Sequence, residues 1–217
     1  MAIDFSANRQ SYEKDELIES NIPNTPYPLL EKWIKEAVDE QIGEAYAFSL
    51  ATCGRDMRPS VRTLLMREIS EQNGEIMMIF YSNYHSQKGQ DLSENPFAEA
   101  LFFWDDLERQ IRASGRVEKL SIEQSKTYFH SRPKDSQLAA WVSNPQSGVV
   151  QSREIMDSKF ASLSKENIET VDLPDYWGGY KLIVDSIEFW QGRANRMHDR
   201  ILYTKQQNAW QRVRLLP

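Results

Sequence analysis

The chain of 217 residues has one cysteine, Cys53, which rules out an intramolecular disulfide and a metal site built from clustered thiolates. No apolar run approaches the ~20 residues that a membrane-spanning helix needs. The first residues, MAIDFSANRQSYEKDE, lack the basic-then-apolar pattern of an export signal. Surplus positive charge is missing as well: the formal net charge is -6, which argues against nucleic acid as the main partner. There is no glycine-rich phosphate loop and no βαβ alternation, so a doubly wound dinucleotide-binding sheet is not expected. No internal repeat, low-complexity tract or second domain is visible. What is present, 40% hydrophobic and 27% charged residues, fits one domain of ordinary size with a real core. The expectation is a cytoplasmic protein in which any anion is held by locally grouped Arg and Lys.

The densest such group lies near the C-terminus, in IEFWQGRANRMHDR (187–200). An apolar, strand-like run breaks at Gln191-Gly192 and then delivers Arg193, Arg196, His198 and Arg200. In an extended backbone side chains alternate, so Arg196, His198 and Arg200 would point the same way, beside Trp190. That grouping suits an anionic ligand with a flat ring. On spacing alone, a solvated basic loop fits as well.

Residues 1–24 are polar and are expected to form a mobile N-terminal segment ahead of a single domain over 25–217. After Pro28, Leu29, Leu30, Trp33, Ile34, Ala37 and Val38 recur at helical spacing. Strands are expected over 46–51, 60–68, 75–82, 97–104, 110–119 and 180–191, with a turn at 70–74 and a closing hairpin of 200–205 and 210–215. In a regular strand Arg62 and Arg67 are an odd number of residues apart and face opposite sides. Residues 86–94 read as a helix stopped by Asn95-Pro96, with Ser86 and Lys88 at the anion-favouring end. Ser121 and Gln124 form a capping box for a helix to about residue 131. Tyr128, Arg132 and Ser136 step by four but Pro133 interrupts them, so two helices are expected to meet at the Arg132-Pro133 corner and converge on one anion. His130 reads as a capping or packing residue. Residues 141–147 read as a loop and 149–163 as a further helix.

The blocks VRTLLMR, FYSN, SQK, ERQIR, YFHSRPKDSQ, AWVSNPQS, YWGG and IEFWQGRANRMHDR run in this order from about Arg9 to Pro217. In that order they resemble the pyridoxamine 5'-phosphate oxidase family. The resemblance implies a mainly β fold with flanking helices (α+β): an FMN-binding split β-barrel, homodimeric, with FMN at the subunit interface. It implies oxidation of pyridoxamine or pyridoxine 5'-phosphate to pyridoxal 5'-phosphate, with hydride passing from C4' to flavin N5 and O2 taking the electrons as hydrogen peroxide. It assigns the substrate phosphate to Arg67, Tyr128, Arg132 and Ser136, the reacting end to Arg196 and His198, and a covering flap to Arg9 and Tyr12. FMN falls to Arg62, Thr63, Leu64, Leu65, Arg67, Tyr81, Ser82, Gln87, Lys88, Gln110, Gln146, Ser147, Trp190 and Arg200. Gln146 and Ser147 match positions that reach the partner subunit's flavin. No metal is implied.

Three positions depart from the family pattern. Arg67 stands where lysine is usual, Asn144-Pro145 looks inserted, and Gln87 replaces an arginine beside the FMN phosphate, so Gln87→Arg is expected to tighten FMN. Two rivals are a split-barrel protein that holds flavin or pyridoxal phosphate without turnover, and a related reductase using another electron donor. The first needs a broken substrate set. The second is not expected to keep both HSRPKDS and RMHDR.

Overall fold

The computed structural model describes residues 3–4, 6, 11–165, 169–207 and 209–217. Its frame is one antiparallel sheet of nine strands: β1 (Ala47–Cys53), β2 (Pro59–Leu65), β3 (Glu68–Gln72), β4 (Glu75–Asn83), β5 (Phe97–Trp104), β6 (Arg109–Lys119), β7 (Trp177–Gln191), β8 (Asp199–Gln206) and β9 (Ala209–Leu215). The strand order is β2-β1-β5-β6-β7-β4-β3, with β8 added to β7 and β9 to β8. The two ends of that path, β2 and β3, are consecutive in sequence. Met66 and Arg67 carry the chain between them: Met66 N–H donates to Tyr46 C=O on the β1 side, and Arg67 N–H donates to Ile79 C=O on the β4 side. The sheet therefore wraps round its core without closing, and Arg67 sits at the seam.

This seam corrects two expectations. The strand expected over 60–68 is split, so the parity argument for Arg62 and Arg67 does not apply. Residues 68–72, of which 70–72 were expected in a turn, form β3, and the turn itself is confined to Asn73 and Gly74, both at positive φ. Asn-Gly between two runs is a strong sign of a two-residue hairpin.

Alternation along the strands sends Phe48, Leu50, Ile76, Met78, Phe80, Phe102, Ile111, Leu182, Val184, Phe189, Ile201 and Tyr203 inward, all nearly inaccessible. Helix α1 (Tyr27–Asp39) lays Leu29, Leu30, Trp33 and Ala37 on this core, with Trp33 edge-on to Phe189 at 5.3 Å. At the β6–β7 bulge a side chain on Gly115 would meet the Ile183 carbonyl at 1.9 Å, so only glycine lets the two backbones approach there.

Helix α2 is Gln87–Glu94, α3 Ile122–Ser131, α4 Lys134–Val142 and α5 Arg153–Lys165. The capping box at Ser121 and Gln124 is present. Helix α4 runs further than expected, because Trp141, read as loop, is held by its indole N–H donating to Asp172 C=O at 2.9 Å. Helix α5 starts at Arg153, later than expected, and β7 starts earlier, at Trp177. His130 has a structural partner in the Val171 carbonyl at 3.1 Å. Within the segment expected to be mobile, Tyr12 packs against Trp190 and His198, and Leu17 and Ile22 are buried in the main core cluster. No described helix is long and apolar enough to cross a membrane.

Candidate functional site

The first cluster lies at the seam and the α3–α4 corner. Tyr81, Tyr128 and Trp177 form a stack, with Tyr81 and Tyr128 ring centroids 3.7 Å apart and Tyr128 and Trp177 within 5° of parallel. Two guanidinium groups flank it: Arg132 lies 4.8 Å from the Trp177 ring, and Arg67 lies 6.0 Å from that of Tyr128. Pro133 breaks the helix as expected, and the buried Gln137 fixes the corner by donating to the Arg132 carbonyl at 2.8 Å. Gln137 was not singled out in the sequence. Ser136 stands in the first turn of α4, beside that corner. Arg132 Nη1 is buried and has no hydrogen-bond partner. Among the described residues no carboxylate ion-pairs with Arg132 or Arg67. Burial lowers the Arg132 pKa, and Arg67 adds to that by repulsion while Tyr128 opposes it. Two cations held together without a counter-ion make a site for an anion.

The second cluster follows on the same strand. Lys88 is buried, and its Nζ donates to Ser82 Oγ and Ser86 Oγ at 3.1 Å each and to Gln146 Oε1 at 3.3 Å. These are neutral acceptors, and burial followed by repulsion from Arg62 depresses the Lys88 pKa to about 8. Ser86 caps α2, leaving its first N–H groups and the positive end of its dipole beside Lys88. Arg62 is braced by Thr52 Oγ1 and Ser60 Oγ at 2.6 Å each, with Asp91 at 3.9 Å. Thr63, Leu64 and Leu65 continue β2, an edge strand, which leaves alternate backbone N–H and C=O groups outside the ladder.

Gln87 is turned away from this cradle, its amide donating to Asp91 Oδ1 at 2.8 Å. Gln146 and Ser147, expected to reach the partner's flavin, stand against Lys88 and Gln87 of their own chain, Ser147 Oγ accepting from Gln87 N–H at 3.4 Å. They belong to the same cradle as Lys88, because the loop after α4 folds back over the start of α2.

The third cluster lies elsewhere on the sheet. Gln110, Trp190 and Arg200 are cross-strand partners on β6, β7 and β8, so they stand in one row on the outer face. Trp190 packs on His198 at 4.7 Å and meets Tyr12 edge-on at 5.8 Å. Arg193 N–H donates to His198 Nδ1 at 3.1 Å, which leaves the proton of the neutral ring on Nε2. Burial, then repulsion from Arg196, lowers the His198 pKa, which favours the neutral ring, while Asp199 opposes the shift. Arg200 is paired with Glu188 through Nε at 2.9 Å and Nη2 at 3.0 Å.

The expectation that Arg196, His198 and Arg200 alternate along a strand is corrected. Asn195 and Arg196 have positive φ in a tight turn, and β8 begins only at Asp199. Arg196 is exposed at the tip of that turn. Arg9 lies outside the described residues.

Ser82 of the second cluster faces Gly178 across β4 and β7, whereas Trp190 of the third lies twelve residues further along β7. That is about 40 Å of strand at the usual rise. Beside the third cluster the outer face carries exposed Phe103, opposite Gln110, and Phe97 and Val61 are exposed further along the sheet. A wrapped, unclosed antiparallel sheet with cations at its seam that have no carboxylate partner among the described residues, and with exposed aromatic side chains on its outer face, defines a split barrel whose seam can take an anion.

Comparison with known proteins agrees. The family model described as pyridoxamine 5'-phosphate oxidase matches residues 34–167, and that described as the pyridoxine 5'-phosphate oxidase C-terminal dimerisation region matches 177–217. The curated pyridoxine/pyridoxamine 5'-phosphate oxidase of Psychrobacter cryohalolentis is 51% identical over 220 residues, covering 100% of both chains. The protein of that name from Acinetobacter baumannii is 46% identical over 216 residues, 99% of this chain and 97% of its own. Among solved structures, PhzG from Burkholderia lata in complex with tetrahydrophenazine-1-carboxylic acid has a TM-score of 0.85 at 27% identity, covering 94% of this chain and 98% of that one. An FMN-binding, pyridoxamine 5'-phosphate oxidase-related protein from Nostoc punctiforme has a TM-score of 0.70 at 16% identity, covering 89% and 98%, and shares the fold. The chain belongs to the pyridoxamine 5'-phosphate oxidase family.

Proposed function

We propose that the protein is an FMN-dependent oxidase that converts pyridoxamine 5'-phosphate and pyridoxine 5'-phosphate to pyridoxal 5'-phosphate, with O2 as acceptor and H2O2 as co-product. The observation that carries this reading is the half-buried Arg132 guanidinium, whose Nη1 is enclosed without a hydrogen-bond partner, with Arg67 flanking the same aromatic stack. With Tyr128 and Ser136 it offers a phosphate monoester two charges and two hydroxyls. Binding energy from that remote group can orient the reacting carbon.

The second cluster fits the FMN phosphate. Lys88 has only neutral partners and lies at a helix N-terminus, while Arg62, Ser82, Gln146 and Ser147 border it. FMN would supply the two-electron chemistry. Gln110, Trp190 and Arg200 hold the flavin from the outer face, and His198 Nε2–H, Arg196 and Tyr12 meet the substrate. Because one chain separates the clusters along β7, the working site joins the first two clusters of one subunit to the third of its partner. The dimerisation-region match over residues 177–217, which contain Trp190, Arg196, His198 and Arg200, supports a homodimer of this kind. Two-fold pairing is also the commonest assembly.

The test is the visible spectrum of the purified protein, followed by pyridoxine 5'-phosphate without oxygen. Bleaching of the flavin, reversed by air, is expected. A yellow protein that does not bleach would leave a flavin carrier rather than an oxidase.

A further inference from the structure

Residues 12–17 lie against the third cluster as a strap, and contacts far away in sequence fix them there. Arg109, nearly fully buried at the start of β6, donates to Asp15 on the strap and to Glu36 on α1 at 2.5 Å each, and to Gln191 at 2.9 Å. Its guanidinium also lies 4.6 Å from the Trp33 ring. Glu108, next to it, accepts the Lys14 backbone N–H at 3.0 Å. Arg193, whose N–H holds His198, also takes Asp15 C=O at 3.1 Å and Glu16 at 3.0 Å. Asp199 accepts the Leu17 N–H at 3.1 Å. The strap is thus joined to the residue that sets the His198 tautomer. A second, independent observation concerns Gly192: a side chain there would meet Tyr12 Cβ and Cγ at 2.8 Å and Glu108 Cβ at 3.0 Å. Gly192 has no positive φ, so the backbone itself tolerates alanine; what the glycine provides is room for Tyr12.

We propose that Arg109 and Gly192 are positioning residues for the reaction, seating the strap so that the Tyr12 ring forms the wall of the substrate pocket over Trp190 and His198. The proposal rests on the oxidase reading for its kinetics. Neither residue touches the ligand; each acts through Tyr12, Arg109 by the Asp15 bridge and Gly192 by the space it leaves.

The experiment is a double-mutant cycle on the flavin-loaded dimer with Gly192→Ala, Tyr12→Gly and the pair, with Asp15→Asn as an independent way to release the strap. Gly192→Ala and Asp15→Asn should each raise KM for pyridoxine 5'-phosphate roughly tenfold, with bound flavin unchanged. Trypsin should cut after Lys14 faster in both. In the Tyr12→Gly background, Gly192→Ala should add almost nothing. An unchanged KM in both single variants overturns the proposal, as does a Gly192→Ala effect that persists in full without the Tyr12 ring. If the unaltered protein fails to bleach with substrate, the oxidase reading has failed instead, and trypsin cleavage still reports on whether Asp15 anchors the strap.

Discussion

Arg109, buried, and Arg132, half-buried with one nitrogen fully enclosed, are two arginines in opposite circumstances. Arg109 has two carboxylates at 2.5 Å and an amide oxygen at 2.9 Å. Arg132 has a buried nitrogen with no partner and a second cation for a neighbour. A buried charge that is fully paired serves the fold, whereas one left unpaired costs stability and is kept for what binds it. The same division runs through the whole molecule. Arg193 and Arg214 each have a carboxylate at 3.0 Å or less. Arg67, Arg132, Lys88 and Arg196 have none among the described residues. The paired set ties the N-terminal strap and C-terminal hairpin to the sheet; the unpaired set marks where anions are expected.

The largest effect should come from breaking this contrast at its two poles. Arg132→Met should lower kcat/KM for pyridoxine 5'-phosphate about a hundredfold, since charge-assisted hydrogen bonds contribute ~1.5–3 kcal/mol each. Its melting temperature should hold or rise, because an uncompensated charge leaves the interior. Arg109→Met should do the reverse: a smaller kinetic loss, with stability lowered by about 1–3 kcal/mol because two carboxylates lose their cation, discounted because both are partly exposed. Steady-state kinetics and thermal unfolding of the two variants measure this. A destabilised Arg132→Met beside an undisturbed Arg109→Met would invert the assignment.

Much of the first pole was legible in the sequence. Helical spacing and Pro133 were enough to bring Tyr128, Arg132 and Ser136 to one corner, because local backbone rules decide that geometry. Arg67 was legible only as a charge. Its place at the seam depends on Met66 and Arg67 hydrogen-bonding to opposite ends of the sheet, a tertiary fact. The Asn73-Gly74 turn was readable, yet the expected turn extended over residues that form β3. Arg196 was misplaced because its left-handed turn has no glycine or proline at the residue itself to announce it. The second pole had no sequence signal. Asp15 and Arg109 are 94 residues apart, and nothing local in either stretch names the other.

A middle-sized effect should separate Arg196 from Arg200. Arg196 is exposed and has no ion pair among the described residues, so Arg196→Ala should keep flavin and lose most turnover. Arg200 stands in the row with Gln110 and Trp190, held by Glu188. Arg200→Ala should lose flavin first, with activity partly recovered by added FMN. Flavin absorbance and turnover on both variants decide the matter. A colourless Arg196→Ala beside a yellow, inactive Arg200→Ala would exchange the two roles.

The smallest effects concern the cradle proposed for FMN, where Lys88, with no carboxylate partner among the described residues, can be set against Gln87, a single residue away and paired with Asp91. Burial depresses the Lys88 pKa to about 8 in the free protein, and a bound phosphate dianion should raise it. FMN binding therefore takes up a proton at Lys88 above pH 8 and needs none well below it. Affinity should be flat between about pH 7, where a phosphate monoester is mostly dianionic, and pH 8. It should then fall by up to tenfold per pH unit as Lys88 in the apoprotein loses its charge. Gln87 stands next to it, and its sequence alone argues that an arginine there would tighten FMN. The structure points elsewhere: the Gln87 amide already donates to Asp91 Oδ1 at 2.8 Å, and a guanidinium introduced at that position would find the same buried carboxylate within reach. Paired with Asp91, it would have little charge left for the phosphate. Gln87→Arg should thus change FMN affinity by less than about threefold, under ~0.7 kcal/mol, and leave the pH profile in place. Titration of apoprotein with FMN, followed by flavin fluorescence between pH 6.5 and pH 9.5, tests both statements. A tenfold tightening would show that the new side chain bypasses Asp91 and reaches the phosphate. A flat profile through pH 9 would show that Lys88 keeps its proton without the ligand, so the neutral oxygens of Ser82, Ser86 and Gln146 stabilise its charge better than burial opposes it.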